Sequence, residues 1–175
     1  MHKTTVAACG AMAMALLNGV ASAASNGTVS FTGEVVANTC TIANGGAVTV
    51  ALPKVSTDVF SGDGSKAGQT RFNIDLTACT PASGQVGVRF TGIGSQVDMT
   101  RGLFVNTGTA TNVAVGVFDD TALQLKPAAD SGGFVNVDTS SGAASIPLDA
   151  YYVATNATVG AGTVAATGNF ELVYK

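Results

Sequence analysis

Gly162-Thr-Val-Ala-Ala-Thr-Gly-Asn-Phe-Glu-Leu-Val-Tyr-Lys175 ends the sequence with apolar and polar residues in alternation. Val164, Ala166, Phe170, Leu172 and Tyr174 share one parity; Thr163, Thr167, Asn169, Glu171 and Lys175 share the other. A period of two in β-branched and aromatic residues predicts a half-buried β-strand. An apolar strand in this position needs a neighbour on each side, because an open edge leaves N–H and C=O groups unpaired and invites association. Near the other end, Gly27, Val29 and Phe31 alternate with Thr28, Ser30 and Thr32. Two adhesive stretches on one small chain point to polymerisation.

The first two dozen residues have a separate purpose. His2 and Lys3 make a weakly basic start, residues 6–17 are apolar, and Ala21-Ser22-Ala23 is a small-residue cleavage site. This pattern predicts a secretory signal over residues 1–23, too short in its apolar part for a membrane span. Cleavage is expected after Ala23, with Ala21 as the second site. Cys9 comes too early in the apolar run to anchor a lipid. Residues 24–175 remain, a size suited to one domain.

Loss of Lys3 makes the mature chain one charge more acidic than the −3 of the whole sequence. With no basic cluster, that balance argues against nucleic acid and anionic membranes. The single histidine departs with the signal, leaving none for a triad, a proton shuttle or a metal. Cys40 and Cys79 remain, and an even count in an exported chain reads as one disulfide. It would close a loop of about forty residues, worth roughly 4 kcal/mol in the chain-entropy account. No CxxC spacing supports a redox pair or metal site.

Strand patterns recur between turns, with no helical period. They cover Gly33 to Ala37 leading toward Cys40, Ala47 to Leu52, Phe72 to Ala78 delivering Cys79, Val86 to Phe90, Val113 to Phe118, and Ile146 to Ala154. Ala122 to Lys126 is expected to return from an Asp119-Asp120 turn as a hairpin partner. Residues 56–69 read as a loop with one short helical turn, and residues 130–142 as a Gly/Ser-rich loop with a short pairing at Phe134-Val135. About eight short strands separated by Gly, Ser and Asn predict an all-β sandwich.

Few residues carry chemistry. Asp119-Asp120 reads as a turn, not an acid/base pair, and Asp58 to Asp63 lacks the ligand spacing of a calcium loop. Arg89 and Arg101 stand isolated and read as surface charges. No GxSxG appears, and no histidine would activate the many hydroxyls. No catalytic role, metal or cofactor is expected.

Three stretches together resemble the subunits of chaperone–usher fimbriae, the type 1 pilin family. They are Gly27-Thr-Val-Ser-Phe-Thr-Gly-Glu-Val-Val-Ala-Asn-Thr-Cys40, the second cysteine closing Phe-Asn-Ile-Asp-Leu-Thr-Ala-Cys79, and the terminal pattern with Gly162 fourteenth from the end and Tyr174 penultimate. The resemblance implies an incomplete immunoglobulin-like β-sandwich, residues 33–175, completed by a donor strand from a neighbouring subunit. Residues 24–32 would be the donated extension, with Val29 and Phe31 in pockets of the acceptor and Gly27 at a shallow site. Gly162, Val164, Phe170, Leu172 and Tyr174 would form the groove strand that a periplasmic chaperone reads, and Cys40–Cys79 the family disulfide. An outer-membrane usher and identical or related pilin subunits are the other implied partners, and a cell-surface fimbrium reached through the periplasm is the implied location. The extension is short: Ala24, Ser25 and Asn26 alone precede Gly27, and none is a large apolar anchor. Two other readings stand beside a structural fimbrial subunit: a minor adaptor of the same family, and a self-contained secreted β-sandwich binding module.

Overall fold

Alternation along the chain becomes nine strands in the computed structural model, which describes residues 28–33, 37–92, 94–129 and 131–175. The expected signal segment, Gly27 and most of the strand expected over Gly33 to Ala37 lie outside the described residues. The chain divides into two units, Met1–Val35 and Val36–Lys175, and every strand belongs to the second. In order these are β1 (Thr39–Ile42), β2 (Lys66–Thr80), β3 (Gln85–Thr91), β4 (Val97–Asp98), β5 (Leu103–Val105), β6 (Val113–Asp119), β7 (Ser131–Asn136), β8 (Ala144–Ala154) and β9 (Asn169–Tyr174). Six form one antiparallel sheet in the order β1-β2-β8-β6-β5-β4. Three form the second, β7-β3-β9.

The core lies between the sheets and follows the period of two. On β2, Ile74 and Leu76 are buried while Arg71, Asn73 and Asp75 are exposed. Facing residues come from β3 (Val86, Val88, Phe90), β6 (Val117) and β8 (Ile146, Leu148) in one continuous cluster. β6 is buried along nearly its whole length, as its unbroken apolar run predicts. Arg71 pairs with the buried Asp149 across the β2–β8 ladder at 2.7 Å.

Strict alternation would put Cys79 on the outer face of β2, opposite to Leu76. A bulge prevents this: the β1–β2 register shifts between Thr39 and Thr41, and Ala78 takes φ 51. The extra residue reverses the parity, so Cys79 is buried and bonded to Cys40.

Other expectations changed in detail. Residues 130–142 contain a true strand, β7; the loop expected over 56–69 is shorter, because β2 begins at Lys66, and its 3-10 turn is Thr57–Val59. Ala122 to Lys126 returns along β6 only through the bridge Phe118–Gln124 and flanking backbone bonds. Asp119 accounts for this: its Oδ1 accepts from Thr121 N, Thr121 Oγ1 and Leu123 N and curls the chain into a loop. Arg89 and Arg101 are not isolated: Arg89 pairs with Glu171, and Arg101 with Asp63 and Asp98.

Candidate functional site: an apolar groove beside the last strand

The terminal strand pairs on one side only. β9 runs antiparallel to β3 with an unbroken register from Val86–Tyr174 to Thr91–Asn169. Gln85 and Lys175 exchange both backbone hydrogen bonds, which sets the phase of the ladder. In an antiparallel pair, bonded and non-bonded positions alternate. Asn169, Glu171 and Val173 therefore turn their backbone groups toward β3. Phe170, Leu172 and Tyr174 turn theirs away, to an edge with no strand partner among the described residues.

Beyond that edge lies a groove of about 640 Å³. Its floor is mainly the inner face of the larger sheet: Phe72 and Ile74, Phe104, Val115 and Val117, Ala150 and Tyr152. One wall is formed by Val164, Ala165, Ala166, Gly168 and Phe170, the other by residues between Gly46 and Leu52. Residues 47–52 alternate as the sequence predicts, yet belong to no strand. Alternation reports side-chain environment, whereas a ladder needs a partner. Val50 and Leu52 are half-buried on the groove side, and Val48 is exposed. Among the described residues, no charged side chain lines the groove. Burial there pushes the Tyr152 hydroxyl above its ordinary pKa, so the phenol stays neutral.

The residues singled out in sequence fall into three groups. Val164 and Phe170 line the groove, and Phe170 meets Phe90 edge-on at 6.3 Å between ring centroids. Leu172 and Tyr174 are not among the groove-lining residues; like Phe170 they pack, partly buried, against the core cluster, and the Tyr174 hydroxyl accepts a hydrogen bond from the Cys40 amide at 2.9 Å. Gly162 lies against Thr109 and Ala110, where a Cβ would collide with their backbone. Strand β9 thus begins at Asn169, and residues 160–165 instead bond to the loop between β5 and β6. Val29 is 73% exposed and Phe31 91% exposed, both outside any strand. Among the described residues, no group of His, Cys, Asp and Glu could hold a metal ion.

Comparisons with known proteins identify the family and the fold. The fimbrial protein family model matches residues 29–175. A probable major fimbrial subunit, LpfA, of Escherichia coli O157:H7 is 34% identical over 169 residues, covering 93% of each chain. A solved antigen and type I fimbria protein of Burkholderia pseudomallei is 32% identical, with a TM-score of 0.56 over 77% of this chain and 88% of that one. The P pilus rod subunit PapA, at 20% identity, shares the fold, with a TM-score of 0.56 over 78% of this chain and 99% of its own.

Proposed function

The chain belongs to the fimbrial protein family as a structural subunit that meets other pilin subunits in a surface fimbrium, and on that premise we propose that it polymerises head to tail by strand donation. Residues 1–23 direct export and are removed, residues 24–32 form the donated strand, and residues 33–175 form the receiving domain. The single observation that carries this reading is the groove, with an open β9 edge beside it and an unladdered wall at residues 47–52.

A donated strand beside β9 would accept and supply the backbone bonds that Phe170, Leu172 and Tyr174 turn outward. Alternate side chains enter the groove, and their parity sets the register. Val29 and Phe31 share a parity, and burial of each would contribute about 1.5–3 kcal/mol. Gly27, two residues earlier, brings no side chain and suits a shallow part of the groove. The groove belongs to one copy and the strand to the next, so the contact is heterologous and propagates as a filament.

Before assembly the same open edge would be an aggregation hazard. A periplasmic chaperone that lends a strand covers it, and an outer-membrane usher is where the subunit's own strand replaces the loan. The role is structural and non-enzymatic.

The test is a pair of thermal melts on oxidised protein. One version is residues 34–175; the other adds residues 24–32 after Lys175 through a short flexible linker. Strand donation predicts a rise on the order of tens of degrees in the second version. Equal, cooperative melts would mean that the domain is complete without the strand, favouring a self-contained binding module.

A further inference from the structure

We infer that Asn106 is a positioning residue for strand capture: it moors the segment that forms one groove wall to the opposite sheet. This rests on the strand-donation reading and adds a mechanism for holding the groove at its working width. Residues 160–168 leave the larger sheet and cross to the smaller one, and their second half is that wall. Backbone bonds join Thr111 to Gly160, Ala110 to Thr163 and Thr107 to Ala165.

One carboxamide spans this junction. Asn106 Nδ2 donates to Ala110 O at 2.8 Å and to Thr163 O at 3.4 Å. Its Oδ1 accepts from Gly108 N at 2.8 Å and Ala165 N at 2.9 Å. The side chain thus orders its own loop and holds both Thr163 and Ala165 of the crossing segment. An amide that uses donor and acceptor together is hard to replace, because no other group of that size does both in one plane. Phe104, two residues earlier on β5, lies beneath Gly168, where a Cβ would collide with its ring. β5 and its following loop therefore fasten the wall twice, once by polar contacts and once by close packing.

A wall held at two points keeps its position when a strand enters. Freed of Asn106, residues 163–166 would move away from the floor, and the seated strand would lose contact on that side. The expected effect is on strand release.

Fimbriae carrying Asn106→Asp test this. The replacement preserves shape and acceptor but loses both donated bonds and sets carboxylate oxygen against Ala110 O and Thr163 O. The comparison variant is Asp138→Ala, which removes a turn cap outside the groove lining. Subunit release in detergent should be about tenfold faster or more in Asn106→Asp. Amide exchange should rise over residues 160–168 and not in β2 or β8. Asp138→Ala should lower the melting temperature without speeding release. Unchanged release in Asn106→Asp, or equal acceleration in both variants at matched loss of melting temperature, would overturn the inference. If Asn106→Asp yields no fimbriae, Thr163→Val, which removes the hydroxyl contacts to Thr109 at the same junction, is read by the same criteria. Failure of strand donation itself would show separately, as normal fimbriae from Phe31→Asp. Exchange over residues 160–168 in the subunit would then decide whether Asn106 holds the wall.

Discussion

β7 and β9 flank the same strand, β3, and form the two edges of one small sheet. β7 is irregular: its register against β3 slips between Val86 and Val88, and Gly133 takes φ +62 at the slip. Leu125 packs so closely on Gly132 that a Cβ there would collide. A bulge twists an edge strand and spoils it as a template for another chain. β9 has no such defect. Six consecutive residues pair one to one with β3, and the outward backbone groups repeat regularly beside an apolar groove. A sheet with one blunted edge and one regular edge offers a single place for an incoming strand, as the proposed strand donation requires.

The most damaging way to break this asymmetry is to spoil what β9 receives. Phe31→Asp would carry a charge into a groove with no charged lining, at a cost of several kcal/mol. Unheated gel samples should lose the ladder of oligomers that strand donation predicts for the wild type. An intact ladder would remove residue 31 from the donated strand.

A milder disturbance belongs to the β7 side. A Cβ on Gly87 would lie 2.7 Å from both Gly132 O and the Phe134 ring. Gly87→Ala should therefore cost about 1–3 kcal/mol of domain stability through overpacking. Thermal unfolding would show that loss, while the gel ladder should persist at temperatures below the melt. Loss of the ladder in the still-folded variant would mean that β7 also serves assembly, and the contrast between the edges would fail.

These two regions differ in how far they were legible from sequence. The parity of Phe170, Leu172 and Tyr174 was plain because a half-buried strand imposes it locally. That residues 47–52 alternate was equally plain, but not that they lack a ladder, since pairing depends on a partner that alternation does not encode. β4 and β5 escaped because two and three residues show no period. Gly162 stood out by its place fourteen from the end; its physical reason, contact with Thr109 and Ala110, lies fifty residues away. Asn106 gave no signal, since its bonds to Thr163 and Ala165 form only when two loops from different parts of the chain meet. The Cys79 parity reversal depends on a bulge at Ala78, which no propensity rule assigns to alanine.

Tyr174 sharpens the comparison within β9 itself. Its backbone faces the open edge, yet its hydroxyl reaches the Cys40 amide, tying the last strand to the disulfide. Tyr174→Phe keeps the ring and removes the bond, at an expected cost of about 1–2 kcal/mol. Faster amide exchange at Cys40 would report it, with assembly preserved. An unchanged exchange rate would mean that the hydroxyl adds nothing to holding β1 against β9.

The smallest effect concerns acid, and it separates the groove from the turns that support the fold. Asp138 accepts the amides and hydroxyls of Ser140 and Ser141, and these bonds hold its carboxyl at a pKa of about 2 against an ordinary 3.8. The folded chain thus binds that proton less readily than the unfolded chain does. Its contribution is present above the ordinary value and fades as pH falls through 3.8 toward about 2. Arg71 lowers the carboxyl of Asp149, and Arg101 that of Asp63, so both work in the same direction. Asp138→Asn should flatten, without abolishing, the fall in melting temperature across that acid window. Strand release measured over the same range should be unaffected by the substitution, because the groove lining contains no carboxylate. A release rate that followed the Asp138 titration would connect this turn to the groove and weaken the separation between the two regions.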